Sequence, residues 1–245
     1  MNVPFITGLK ERELTMLRDE LILQNPLRIL AQNNENILPK GGFGAVLARA
    51  GVGKTSLLVQ LALNSLLRGK KILHISLDDP VNKVNLWYKE VFYHLTKPHD
   101  VKTSSELWES ILPHRFIMTF KVEGFSVPKL EERLTDLKEQ NIFSPQAVFI
   151  DGLPIDQSQK ESLLNLKTFA KNQSLHTWFS IKTHRHEKPG PDDMPVQLLN
   201  IADLFDVAIQ LEPEGKELHL KVLMGGSANS DHPKLLLDPR TMLIT

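Results

Sequence analysis

The sequence has no cysteine, no net charge and no long apolar run. The absence of cysteine excludes disulfides and thiolate metal sites. The 29 basic and 29 acidic residues cancel, so no overall positive field favours nucleic acid or an anionic membrane surface. No stretch of about 18 apolar residues occurs, and the N-terminus lacks the apolar core of a signal peptide. We therefore expect a cytoplasmic protein without a membrane span.

Apolar runs and helical patterns alternate along most of the 245 residues. Runs at residues 43–47, 71–76, 147–150 and 178–181 are separated by helical patterns, which predicts a mostly parallel sheet flanked by helices. Two later runs, residues 207–211 and 218–222, are separated by a turn that contains Pro213 and Gly215. These runs predict an antiparallel C-terminal extension of the sheet.

The N-terminal region precedes this alternation. Leucines at helical spacing predict a helix from about residue 8 to residue 24, with Thr7 as its N-cap. The polar residues 32–36 are typical of a connector. We predict that residues 1–37 form a helical appendage and connector and that residues 38–245 form the main domain. The helix either packs on that domain or docks on a neighbouring subunit.

The stretch Ala48–Thr55 lies between a predicted strand and a predicted helix, as a phosphate-binding loop requires. In such a loop, backbone N–H groups and the helix N-terminus point at an anion. Gly51 and Gly53 allow the backbone to adopt positive φ and to approach phosphates closely. We assign nucleotide binding to Ala50, Gly51, Val52, Gly53, Lys54, Thr55 and Ser56.

Two side chains of this loop have predicted chemical roles. The Lys54 ammonium reaches β- and γ-phosphate oxygens, and the Thr55 hydroxyl ligates Mg²⁺. Ala48 stands where the motif usually has its first glycine. The simpler alternative is a strand-to-helix turn that contains a chance Lys-Thr pair.

Acidic residues follow two predicted strands. Asp151 ends the apolar run 147–150, where a carboxylate faces the crevice above a parallel sheet and can hold Mg²⁺. Gly152 follows, so the base that orients an attacking water has to come from elsewhere. Asp78 and Asp79 follow the second strand, and we predict that Asp78 is this base. The alternative for Asp79 is an N-cap of the next helix.

Three polar residues follow the strand at 178–181. We predict that Thr183, His184 or Arg185 senses the γ-phosphate, with a solvated basic loop as the alternative. The catalytic candidates are therefore Asp78, Asp79 and Lys54. The metal-binding candidates are Thr55 and Asp151.

Together these stretches resemble the RecA/KaiC/DnaB group of P-loop ATPases. The resemblance covers about residues 36–225 and rests on Leu38–Gly42, Ala48–Thr55, Ile75–Asp79 and Ala147–Asp151. It implies an α/β fold of the ASCE P-loop NTPase type, with a RecA-like sheet, and hydrolysis of ATP with Mg²⁺ as cofactor.

The chain departs from that group at two places. The acid after the second strand is usually Glu in the group, whereas this chain has Asp78-Asp79. Many members carry a Lys-x-Arg finger on a late strand that acts on a neighbour's nucleotide, and residues 220–226 contain no clear equivalent. We therefore expect slow hydrolysis that serves a nucleotide-dependent switch or motor.

Two other functions fit the loop. Residues 49–55 are similar to the ParA/MinD loop, with Arg49 at the signature lysine, which implies dimerisation on ATP. A regulatory module that binds nucleotide with little hydrolysis is the third hypothesis. ATP and ADP are the expected partners in each case. A homo-oligomer and local nucleic-acid contacts through Lys182, Arg185 and Lys188 remain open.

Overall fold

The computed structural model describes residues 4–31, 36–121, 124–154, 160–184, 187, 189–225 and 234–245. The α-helices of these segments are α1 (Pro4–Leu23), α2 (Lys54–Leu67), α3 (Val81–Thr96), α4 (Val101–Ile111), α5 (Val127–Glu139) and α6 (Lys160–Gln173). Their strands are β1 (Phe43–Ala48), β2 (Ile72–Ser76), β3 (Arg115–Thr119), β4 (Ala147–Asp151), β5 (His176–Lys182), β6 (Val207–Glu214), β7 (Glu217–Met224) and β8 (Leu235–Leu236). No described helix combines the length and the apolar content that a membrane crossing requires.

All eight of these strands form one sheet in the order β3-β2-β4-β5-β1-β6-β7-β8. β1 to β6 are parallel, and β7 and β8 run antiparallel to their neighbours. β1, β2 and β4 are buried along their whole length, as expected for parallel strands covered on both faces. The predicted α/β fold, a mostly parallel sheet with an antiparallel C-terminal extension, is confirmed.

Two apolar clusters lie on the two faces of the sheet. The first contains buried side chains of α1 to α4, and the second contains buried side chains of α5 and α6. α2 lies in the first cluster, where Leu57, Leu58 and Leu63 have no exposed surface. This burial anchors the helix that follows the phosphate-binding loop, so the loop is held between two rigid elements.

The N-terminal helix begins earlier than expected. Because α1 starts at Pro4, Thr7 lies inside the helix and the prediction that it is the N-cap is wrong. Leu17 and Leu21 are buried in the same apolar cluster as the leucines of α2. Residues 32–35 of the predicted connector lie outside the described residues, and the division of the chain at residue 37 stays a prediction.

Candidate functional site

The loop between β1 and α2 has the backbone shape of an anion-binding loop. Gly51 and Gly53 have φ values of +76° and +99°. A Cβ atom on Gly53 would also lie 2.5 Å from Leu237 Cδ2, so glycine is needed there for two reasons. Because α2 begins at Lys54, its first unpaired N–H groups and its positive dipole end lie at this loop. Ala50 is exposed, and Val52 packs against the first apolar cluster.

Lys54 extends back over the loop. Its Nζ donates a hydrogen bond to the carbonyl oxygen of Arg49 at 3.1 Å. Burial lowers the pKa of Lys54, and the charge of Lys182 lowers it further, whereas Asp151 and Asp78 oppose the change. Burial thus disfavours the charged form of Lys54, and a bound anion would stabilise that form.

Thr55 and Asp151 meet beneath the loop. The Thr55 hydroxyl donates to Asp151 Oδ2 at 2.8 Å, and the Ser180 hydroxyl donates to Asp151 Oδ1. Burial raises the pKa of Asp151, and the hydrogen bonds from Ser180 and Thr55 oppose that increase. Ser180 Oγ also accepts the Gly152 N–H at 2.9 Å. Carboxylate and hydroxyl oxygens beside a phosphate-binding loop are the donors that Mg²⁺ prefers, so this pair fits the cofactor.

The two aspartates after β2 point in different directions. Asp78 faces the site, since a Cβ atom on Gly152 would lie 2.6 Å from Asp78 Oδ2. Asp79 forms an ion pair with Lys83 Nζ at 2.8 Å, and its N–H donates to Ser76 Oγ. The N-cap of α3 is Pro80, so the alternative that Asp79 caps this helix is wrong. The Asp78 carboxylate fills the space that a side chain after Asp151 would occupy.

One cavity of about 810 Å³ brings most of the predicted residues together. Its lining includes Ala50, Gly51, Lys54, Thr55, Asp78, Asp151 and His184. Val52, Gly53, Ser56, Asp79 and Thr183 do not line it. Arg185 lies outside the described residues. No group of three or more His, Asp or Glu side chains in the described segments forms a metal site by itself.

The matched family agrees with this geometry. A family model described as an AAA domain matches residues 10–153, which contain the phosphate-binding loop, the two aspartates that follow β2 and Asp151. The chain belongs to the AAA domain family. None of the curated proteins compared with the chain matches it. Membership supports a nucleotide-binding, ATPase-like domain.

Two features beside the phosphate-binding loop were not predicted: the place of Lys182 in the cavity, and the packing of the C-terminal segment. Lys182, the last residue of β5, lines the cavity, and Thr183 is buried while its N–H donates to the carbonyl oxygen of Ala48 at 3.0 Å. The sequence pattern placed the γ-phosphate sensor at residues 183–185, and Lys182 was considered only for nucleic-acid contacts. Strand alternation from Ser180 was the signal that pointed to Lys182 itself.

The C-terminal segment, residues 234–245, packs against the start of α2. The Ser56 hydroxyl and Gln60 Nε2 both donate to the carbonyl oxygen of Met242 at 2.7 Å. The Ile244 N–H donates to Gln60 Oε1 at 2.9 Å. The side chain of Ser56 is therefore used within the fold, which leaves its backbone N–H for a nucleotide. No local pattern could indicate a contact between residues 186 positions apart.

Proposed function

We propose that this AAA domain binds Mg-ATP in the cavity above β1 and β4 and hydrolyses it slowly. The observation that carries the proposal is the 2.8 Å contact between the Thr55 hydroxyl and Asp151 Oδ2. It joins the end of the phosphate-binding loop to an acidic strand end, as a magnesium nucleotide site requires. The half-buried Lys54, whose pKa is lowered by burial, supports a polyanionic ligand at the same place.

In the proposed reaction, the backbone N–H groups of residues 50–56 and the Lys54 ammonium hold the β- and γ-phosphates. Thr55 and Asp151 hold the cofactor, and bound Mg²⁺ neutralises charge on the phosphate oxygens. Asp78 orients a water molecule, whose oxygen attacks the γ-phosphorus. The bond from that phosphorus to the β–γ bridging oxygen breaks, Asp78 accepts the proton that the water loses, and the products are ADP and inorganic phosphate.

The position of the acid favours the RecA/KaiC/DnaB type within this proposal. In that group the catalytic acid follows the second strand, and Asp78 follows β2 and lines the cavity. Slow turnover is supported by the pairing of the one lysine on β7. Lys221 of β7 is paired with Glu212 at 2.6 Å and with Glu214 at 3.2 Å, so it is not a free cation for a neighbouring site.

The test is a thermal melting assay with Mg-ATP, combined with turnover measurements. Ligand at about 100 times its dissociation constant should stabilise the fold by roughly 2.7 kcal/mol, or about 5–10 °C. Lys54→Ala should remove this shift, because the phosphates lose the cation of the loop. Lys89→Ala, on the exposed side of α3, is the matched control and should keep it. A full shift in Lys54→Ala would refute the nucleotide site.

Further measurements on the same purified protein distinguish the alternative functions. Native mass with and without ATP distinguishes a ring or filament from a dimer that forms only with ATP, as the ParA/MinD hypothesis requires. Asp78→Asn should keep the melting shift and lose most turnover. A shift without turnover in the wild type would favour the regulatory module.

A further inference from the structure

The end of β5 is fixed directly beside the phosphate-binding loop. Lys182 pairs in register with Ala48, the last residue before the loop, and the Thr183 N–H donates to the Ala48 carbonyl oxygen at 3.0 Å. Ser180, two residues earlier on the same side of the strand, hydrogen-bonds to Asp151. Lys182 therefore lies about 7 Å further along the strand than Ser180, the residue that contacts Asp151, and it lines the cavity.

Lys182 is an exposed cation without a partner in the described part of the chain. Its ammonium group has neither an ion pair nor a hydrogen bond there, although it lines the same cavity as Lys54 and Asp78. Lys83, Lys167 and Lys221, in contrast, are each paired with a carboxylate. An unpaired lysine at this position remains available for an anion in the cavity.

The electrostatics of the cavity point to the same conclusion. Lys54 and Lys182 line the same cavity, so their two like-charged ammonium groups repel each other across the site. One phosphate could be neutralised by Lys54 alone. Two cations that converge on one cavity match a ligand that carries charge on adjacent phosphates, where an anion between them relieves their repulsion.

We propose that Lys182 contacts the γ-phosphate oxygens of ATP bound to the same subunit and stabilises the charge that develops on them during hydrolysis. This inference rests on the proposed Mg-ATP site and adds a catalytic residue to it. Water oxygen bonds to the γ-phosphorus, and the bond to the bridging oxygen breaks. Lys182 supplies positive charge without transferring a proton. A cation in this position can replace a finger from a neighbouring subunit, for which β7 has no free lysine.

The experiment compares Lys182→Gln and Lys182→Arg with the wild type. The matched control is Lys216→Gln, in the exposed turn between β6 and β7. Two quantities are measured: kcat for ATP, and the melting shifts with MgADP and with MgADP plus fluoroaluminate, which mimics the transferring phosphoryl group. Lys182→Gln should lower kcat by about 10²–10³-fold, as loss of one transition-state contact does elsewhere. It should keep the MgADP shift and lose the additional shift with fluoroaluminate. Lys182→Arg should retain much of both.

Each other outcome overturns the inference. Wild-type turnover and an unchanged fluoroaluminate increment in Lys182→Gln would show that this lysine does not contact the γ-phosphate. If the same variant instead loses salt-dependent binding of single-stranded DNA, its role is in a nucleic-acid surface. Loss of the MgADP shift would mean that Lys182 supports the fold or the β-phosphate. If wild-type turnover is too slow to measure, the fluoroaluminate increment decides. A failed Lys54→Ala test refutes the site as a whole, whereas these results refute Lys182 alone.

Discussion

Gly152→Ala is the substitution that tests most directly whether Asp78 must occupy its observed position. Gly152 has a φ of +88°, where a residue with a Cβ atom is strained by roughly 1–2 kcal/mol. The new Cβ would also lie 2.6 Å from Asp78 Oδ2 and 2.9 Å from Asp78 Cγ. Because atoms do not approach that closely, the carboxylate has to shift from its observed position.

The backbone strain and the displacement of Asp78 can be measured separately, because Gly69 provides a matched control. Gly69 has a φ of +75°, and a Cβ atom there would meet no atom within 4 Å. Gly69→Ala therefore introduces the backbone strain alone, far from the cavity at the end of α2. For a domain of this size, 1–2 kcal/mol lowers the melting temperature by about 2–8 °C. Gly152→Ala should lose at least as much.

Turnover is the assay that separates the two variants. Displacing a general base costs about 10²–10⁴-fold in rate, so Gly152→Ala should turn over as slowly as Asp78→Asn. Gly69→Ala should match the wild type once both are assayed well below their melting temperatures. The MgADP melting shift should survive in both, because neither change touches Lys54. If Gly152→Ala retains wild-type turnover, the position of Asp78 does not govern the reaction and its assignment as the base is wrong.

Three further predictions concern the proposed Mg²⁺ ligand, the core and the C-terminus. Asp151→Asn should lose the Mg²⁺-dependent part of the ATP melting shift without lowering the ligand-free melting temperature at pH 7. Burial raises the pKa of Asp151, so its ionised form costs stability above the ordinary value of 3.8, and a less stable ligand-free variant would contradict this. The buried His74, bonded to Tyr88, has its pKa lowered from 6.5 to about 3 by burial. Its neutral form stabilises the fold above pH 6.5, and about 3 kcal/mol should be lost by pH 4; denaturant unfolding of His74→Gln should show a smaller acid loss. Gln60→Leu removes two hydrogen bonds to the C-terminal segment and should cost about 1–3 kcal/mol. Hydrogen exchange should then speed up at residues 235–245, and unchanged protection there would oppose the prediction.

Local pattern was enough to predict the sheet and its phosphate-binding loop. The alternation of apolar runs and helices indicated that the strands are mostly parallel. The Gly-Lys-Thr end of the loop indicated the start of α2. Asp151 was predictable for the same reason, since it directly follows a buried run. Each of these features is encoded within about ten consecutive residues, where period and residue type act together.

Features that depend on distant segments were not predictable. Leu237 packs against Gly53, and Met242 accepts hydrogen bonds from α2, but nothing in residues 234–245 indicates that they pack near the loop. Strand alternation indicates the face of β5 on which Lys182 lies, but its place beside the loop depends on the pairing of β5 with β1, which no local pattern indicates. The ion pair that turns Asp79 away joins it to Lys83, which follows four residues later in the chain.

The choice between Asp78 and Asp79 is decided by strand register. Ser76 of β2 lies opposite Asp151 of β4, and the Leu77 N–H donates to the Asp151 carbonyl oxygen at 3.0 Å. Asp78 follows Ser76 by two residues, and its carboxylate lies beside Gly152, where a Cβ atom would be 2.6 Å from Asp78 Oδ2, so the missing side chain at position 152 leaves room for it. A slip of one residue in the pairing of β2 with β4 would move Asp79 towards this position and turn His74 towards the opposite face. The pairing of β2 with β4 therefore determines which acid faces the nucleotide site, so strand register and the identity of the proposed base are a single constraint.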